Sequence, residues 1–238
     1  MVPMNEPYER YVEFKQWEKQ SFGEVKLSDY YDGEIERAFG TVPGPGRLKI
    51  VEIGFGNGEF LGWARLRGNQ AVGVEVIEEL NQRAKDAGFD TAPSIDALLM
   101  ANASAYDLVA AFDVLEHIEP RALVELLNKV HTLLRPGGIL LARFPNGDSP
   151  FGLRYQYGDL THRTVLSEGS VAQLLQQTPF KSFRLCEPCI VRKGITGFAK
   201  KMIKLPLQIC MERVFRHLYY GREMPPTLAM NYVLLASK

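Results

Sequence analysis

"VEIGFGNGEF", residues Val51–Phe60, decides the fold. A β-branched apolar run from Leu48 to Ile53 stops at three alternating glycines, Gly54, Gly56 and Gly58. Apolar residues then return at helical spacing in "NGEFLGWARLRG". Strand, glycine turn and helix are the setting of a nucleotide-type loop. Glycines let the backbone approach a ligand, and the amino end of the following helix favours an anionic group. The spacing is G-x-G-x-G, which differs from the dinucleotide fingerprint G-x-G-x-x-G. Glu75 closes the next apolar run, "QAVGVEV", about twenty residues after the first glycine, where a carboxylate can accept hydrogen bonds from two ribose hydroxyls.

The alternation continues outward from the loop. "IEELNQRAKDAG" reads as a helix closed by glycine, "FDTAPS" as a third strand and "YDLVAAFDVLEHI" as a buried fourth strand with His117 at its end. "PRALVELLNKVHTLL" opens with proline at a first helical turn, and "RPGG" separates it from "ILLARF". "SEGSVAQLLQQT" reads as a later helix, and "FRLCEPCIV" and "AMNYVLLASK" as further strands. Such alternation predicts an α/β domain with a parallel sheet covered on both faces, spanning 47–238. Before it, 1–46 reads as a helical cap, with Tyr8, Tyr11, Phe14 and Trp17 at steps of three and "TVPGPGR" as the hinge.

With 238 residues and 28 basic residues against 28 acidic ones, the chain is neutral, which argues against a generally basic nucleic-acid binder. The charged amino terminus is not a secretory signal, and no apolar run approaches a membrane span, so a cytoplasmic protein is expected. Cys186 and Cys189 form a C-x-x-C in a strand-like run without a second pair, which favours structural thiols over zinc or redox use.

Four segments in order, "VEIGFGNGEF", "VGVEV", "FDVLEHI" and "LLRPGGILLARFPN", resemble the motifs of class I S-adenosylmethionine-dependent methyltransferases, over Leu48 to Asn146. The resemblance implies a Rossmann-like seven-stranded sheet whose last strand, "NYVLLASK", is antiparallel; the residues themselves suggest the cap before it and a helical insert ahead of the last strand. It implies S-adenosylmethionine as methyl donor and S-adenosylhomocysteine as product. In that reading Glu52 steadies the loop, and Gly54, Phe55, Gly56 and Gly58 face the methionine part. Glu75, with Val76 beside it, holds the ribose. Asp96 is a candidate for the adenine amino group, and Phe112 and Asp113 pass beneath the cofactor.

Methyl transfer is an in-line displacement, so positioning carries much of the catalysis, and a hydroxyl acceptor also needs a base. Histidine suits that task. His117 sits at the carboxyl edge of the sheet, and His162 lies in "GDLTHR" three residues after Asp159, which could hold its ring in one tautomer. His131 and His217 read as structural or surface residues. No metal is expected; the alternative is a divalent cation gathered by Glu116, His117, Asp159 and His162.

"FPNGDSPFGLRYQYGDLTHR", Phe144–Arg163, follows the fifth strand. Tyr155 and Tyr157 could stack on sugar rings, with Phe151 near, while Arg154 and Arg163 could bind carboxylate or phosphate. This half of the domain resembles a subgroup found in bacterial surface-polysaccharide biosynthesis, of the O-antigen or capsule type. That resemblance implies a sugar or glycan hydroxyl as acceptor. The insert, 192–225, holds eight lysines and arginines against one acid between Arg192 and Arg222, with apolar residues interleaved and Pro206 expected to break or kink it. It suggests peripheral contact with the inner membrane face, where lipid-linked glycans are assembled, and a second copy of the chain is the other candidate cover. Rival readings are a quinone or natural-product phenol O-methyltransferase and a non-catalytic regulator that binds the same cofactor.

Overall fold

The computed structural model describes residues 11–189, 195–220 and 225–238. Seven strands form one sheet: β1 (Lys49–Ile53), β2 (Gln70–Val74), β3 (Asp90–Ala92), β4 (Tyr106–Phe112), β5 (Leu134–Pro145), β6 (Ser182–Cys186) and β7 (Asn231–Ser237). Their order is β3-β2-β1-β4-β5-β7-β6. β1 to β5 pair in parallel, and β7 inserts antiparallel between β5 and β6, as the resemblance implied. The chain winds outward from β1 to one side and then from β4 to the other. This leaves a crevice at the carboxyl ends of β1 and β4, the usual ligand position in open α/β sheets.

β4 is buried along all but its last residue, because helices cover both faces and no side of the strand meets water. On one face α6 (Pro120–Leu133) buries Leu123, Leu127, Val130 and Leu133, beside α8 (Glu168–Leu175). Their spacing of three and four is the apolar stripe of a core-facing helix. On the other face α2 (Ser28–Phe39) and α3 (Glu59–Leu66) pack Tyr31, Ile35, Phe60 and Trp63 against Ile50, Leu108, Leu141 and Val233. α4 (Glu78–Asp86) joins a third apolar group in which Leu80 and Ala84 meet Phe55, Phe89 and Val12.

Several local expectations are revised. The cap is short pieces, α1 (Tyr11–Phe14), a 3-10 turn Trp17–Lys19 and α2, and Tyr8 lies outside the described residues. An additional helix, α5 (Ile95–Asn102), is capped by the Ser94 hydroxyl, which accepts from the Ala97 N–H. "RPGG" lies inside β5, where the register jumps because one β4 step, Tyr106 to Leu108, faces Leu134 to Ile139. His117 closes a 3-10 turn, Leu115–His117, beyond β4. A short helix, α7 (Leu153–Tyr157), occupies the long loop after β5. The strand through the C-x-x-C ends at Cys186, and 190–194 lie outside the described residues. α9 (Ile195–Tyr219) passes through Pro206 without ending. Among the described residues no helix is long and apolar enough to cross a membrane.

Candidate active site

A cleft of about 730 Å³ opens at the carboxyl ends of β1, β2 and β4. Its floor is the glycine loop. Gly54, Gly56 and Gly58 all have positive φ, 65°, 53° and 73°, which side-chain-bearing residues rarely adopt. Space is equally restrictive: a Cβ on Gly54 would meet Val114 at 2.5 Å, one on Gly56 would meet Trp17 at 2.8 Å, and one on Gly58 would run into the Phe22 ring. The cap therefore lies directly on the loop. Arg83 of α4 clamps it there by donating to the Trp17 and Gln20 carbonyls, at 3.0 Å each, and to Asn57 Oδ1 at 3.1 Å. Glu59 Oε1 accepts from the Lys26 and Leu27 N–H groups at 2.8 and 2.7 Å, which fixes the entry to α2.

Two buried acids face this cleft. Glu75 Oε2 accepts from the Gly56 N–H at 3.1 Å, and Oε1 accepts from the Val76 and Ile77 N–H groups at 2.7 and 3.1 Å. Burial raises its pKa against the pull of those N–H groups. Three bonds leave a carboxylate room for about one more donor. Glu52 is fully enclosed; burial pushes its carboxyl well up, with the Leu61 N–H pulling the other way. Its Oε2 has no partner among the described residues. An orphaned acceptor on the cleft wall suits a ligand that brings a donor.

The rim carries the other residues expected to meet a cofactor. Phe55 is buried in the loop, while Val76 is 83% exposed and lines the cleft. Asp96 opens α5, and its carboxylate is held by Lys129 at 2.9 Å. Phe112 and Asp113 line the cleft. Asp113 adopts φ 57°, which aspartate tolerates better than most residues, and its carboxylate pairs with Arg143. Burial disfavours the charge, but the Asp113 carboxylate beside Arg143 outweighs it and pushes the Arg143 pKa well up.

The histidines meet. Their rings stand edge to face with centroids 4.6 Å apart, and only His117 lines the cleft. The expected Asp159–His162 pair does not form. Asp159 instead accepts from the Thr161 N–H at 3.0 Å and the Thr161 hydroxyl at 2.5 Å, an aspartate binding its own turn two residues on. His162 Nδ1 sits 2.9 Å from the Gln156 carbonyl oxygen. Thr161 Oγ1 lies 2.9 Å from His117 Nδ1. Since the only hydroxyl proton of Thr161 goes to Asp159, this oxygen must accept from His117 Nδ1–H, and the ring's lone pair falls on Nε2. Asp159 thus orients His117 through Thr161. Burial opposes its charge, but Thr161 and the Lys15 ammonium, 3.1 Å away, hold the carboxyl well below the usual range. Burial, and then the neighbouring His162, lower the His117 pKa.

Thr161, Lys15 and Tyr11, whose hydroxyl reaches Asp159 at 3.3 Å, were not anticipated. Only "DLT", with aspartate two residues before a hydroxyl, signalled such a turn. Of the residues expected to recognise an acceptor, Tyr155 and Tyr157 are 47% and 69% exposed on α7, next in the chain to Asp159. Arg154 makes no polar contact with the described residues, and Arg163 reaches Glu119 at 3.3 Å. None of these four lines the cleft.

Residues 24–183 match the profile of a family described as a methyltransferase domain. No curated protein sequence matches the chain. Among solved structures, a SAM-dependent methyltransferase from Archaeoglobus fulgidus is similar over 96% of this chain and 99% of its own, with TM-score 0.64 and 20% identity. A possible histamine N-methyltransferase from Thermotoga maritima covers 98% of both chains at TM-score 0.58 and 16% identity. The plantazolicin methyltransferase BpumL, in complex with SAH, is similar over 100% of this chain and 91% of its own, at TM-score 0.57 and 14% identity. At these identities the likeness is one of fold.

Proposed function

The chain belongs to the methyltransferase-domain family, and on that premise we propose an S-adenosylmethionine-dependent O-methyltransferase acting on a hydroxyl of a sugar or glycan intermediate. The residues at hand fit the donor. Glu75 and Val76 would hold the ribose, the Gly54–Gly58 loop the methionine part, and the orphaned Glu52 oxygen a donor group from it. Asp96, its carboxylate already on Lys129, would meet the adenine amino group. When bound, the donor supplies a methyl group on a sulfonium, open to in-line attack. The protein binds and aligns the acceptor, excludes water beneath the cap, and removes the hydroxyl proton.

The observation that carries this reading is the Asp159–Thr161–His117 chain, which leaves a lone pair on Nε2 of the one histidine lining the cleft. His117 takes the proton. Asp159 stabilises the imidazolium without touching it, and His162 is placed behind. Thr161 is a positioning residue, so Thr161→Val should lower kcat about tenfold to a hundredfold, the worth of a charge-linked hydrogen bond, with acceptor KM unchanged and Thr161→Ser restoring the rate. An equal loss in Thr161→Ser would point to packing instead.

The exposed tyrosines support a sugar acceptor, since Tyr155 and Tyr157 stand exposed on α7, a few residues before Asp159 in the chain. α9 supports a lipid-linked one: Leu207, Met211, Val214 and Leu218 form an exposed apolar row, with much of its basic part outside the described side chains. Transfer of labelled methyl to a panel of nucleotide sugars, lipid-linked saccharides and phenols tests the acceptor. Methyl ethers on saccharides are expected, with Tyr155→Ala and Tyr157→Ala raising KM about threefold to tenfold. Labelling of phenols alone would replace the sugar, and donor binding without transfer to any acceptor would favour the regulator.

A further inference from the structure

Glu116 is 1% exposed beside the cleft, and its Oε2 has no partner among the described residues. Its other oxygen lies 4.0 Å from His162 Nε2. A carbonyl only accepts, so His162 Nδ1, on the Gln156 carbonyl, carries the proton and Nε2 carries the lone pair. His117 has the same tautomer for the reason given above. Two imidazole lone pairs and a buried carboxyl group therefore gather; one ligand atom of each lies within 4.8 Å of the others. Acceptors crowded in this way repel unless something positive joins them, and a single proton can join only two. Asp159, the fourth residue considered from the sequence, is spent on Thr161, Tyr11 and Lys15.

We infer that Glu116, His117 and His162 form a binding site for one divalent cation of the zinc type. Two imidazoles and a carboxylate suit Zn²⁺, Co²⁺ or Ni²⁺ and not Mg²⁺, which prefers an all-oxygen set. Bonds of about 2.0–2.2 Å would bring the ligand atoms to roughly 3–3.5 Å apart, a closure within reach of side-chain rotation. The supporting bonds are in place: His162 donates to a backbone carbonyl, and His117 is backed through Thr161 by a carboxylate, the arrangement that orients metal-binding histidines. Three protein ligands leave a coordination position open.

The site stands on this geometry; its effect on turnover rests on the reading of His117 as base. A cation on Nε2 removes that base, so occupancy is expected to suppress methyl transfer and a chelator to restore it. Chelator-treated full-length protein titrated with Co²⁺ should develop a visible absorption band saturating at one equivalent, displaced by Zn²⁺ and untouched by Mg²⁺. In His162→Ala and Glu116→Gln, each with its melting temperature checked, affinity should fall a hundredfold or more. Because Glu116 is fully buried and its variant could unfold, the His162 variant decides. Absence of the band, or its persistence in folded His162→Ala, overturns the site. A band accompanied by faster turnover keeps the site and overturns the base.

Discussion

His117→Ala is expected to lower kcat by about a hundredfold to ten-thousandfold, the scale of lost general-base catalysis, while leaving the affinity for S-adenosylmethionine nearly unchanged. The separation follows from placement. The donor's expected contacts are the glycine loop, Glu52 and Glu75, whereas His117 makes no hydrogen bond to any of these and is held through Thr161. The pH profile gives a second readout. A base must be neutral, and burial with the nearby His162 keeps the His117 pKa below the ordinary 6.5. The wild-type rate should therefore stay level from neutral pH down to about 6.5 and fall as pH drops through the lowered value. Residual activity of His117→Ala should lack that acid limb. Full rate in the variant, or an acid limb surviving in it, would remove His117 from the chemistry.

The sheet and loop were legible because their signals are local. Gly54, Gly56 and Gly58 announce positive φ, and the apolar runs of β1 and β4 announce strands covered on both faces. The hydrogen bonding around the two histidines was less so. Asp159 and His162 stand one helical turn apart in sequence, which suggested a pair, but a carboxylate in a turn binds the N–H two residues on more cheaply than it reaches a neighbouring ring. Asp159 bonds a threonine instead. Lys15 and Tyr11 were beyond reach, because they meet Asp159 across 144 and 148 residues of chain. α5 escaped because "IDALLMAN" is apolar on nearly every side and shows little periodicity; its cap, Ser94, was the better clue. The Gln156 carbonyl that turns His162 away from Asp159 belongs to α7, a helix of five residues in a stretch whose composition suggests only turns.

Glu75→Ala should reduce affinity for S-adenosylmethionine by at least a hundredfold. The side chain serves two ends at once. It accepts from the N–H groups of Gly56, Val76 and Ile77, and so sets the loop between β1 and α3 against the end of β2; its remaining capacity faces the cleft. Hydrogen bonds to a charged group contribute about 1.5–3 kcal/mol each, so loss of the ribose contact alone is worth roughly tenfold to more than a hundredfold. A loosened Gly56 adds to this, since its N–H would be left without its acceptor in a loop that must be ordered again when the ligand binds. Glu75→Gln separates the two roles. Whichever way the amide turns, an NH₂ group faces at least one backbone N–H, so the loop is disturbed while a carbonyl oxygen persists. Calorimetry should place its affinity between wild type and alanine, and its melting temperature should fall by a similar amount to that of Glu75→Ala. If both variants bound S-adenosylmethionine as wild type does, Glu75 would be only the loop's anchor and the ribose would have to be held elsewhere.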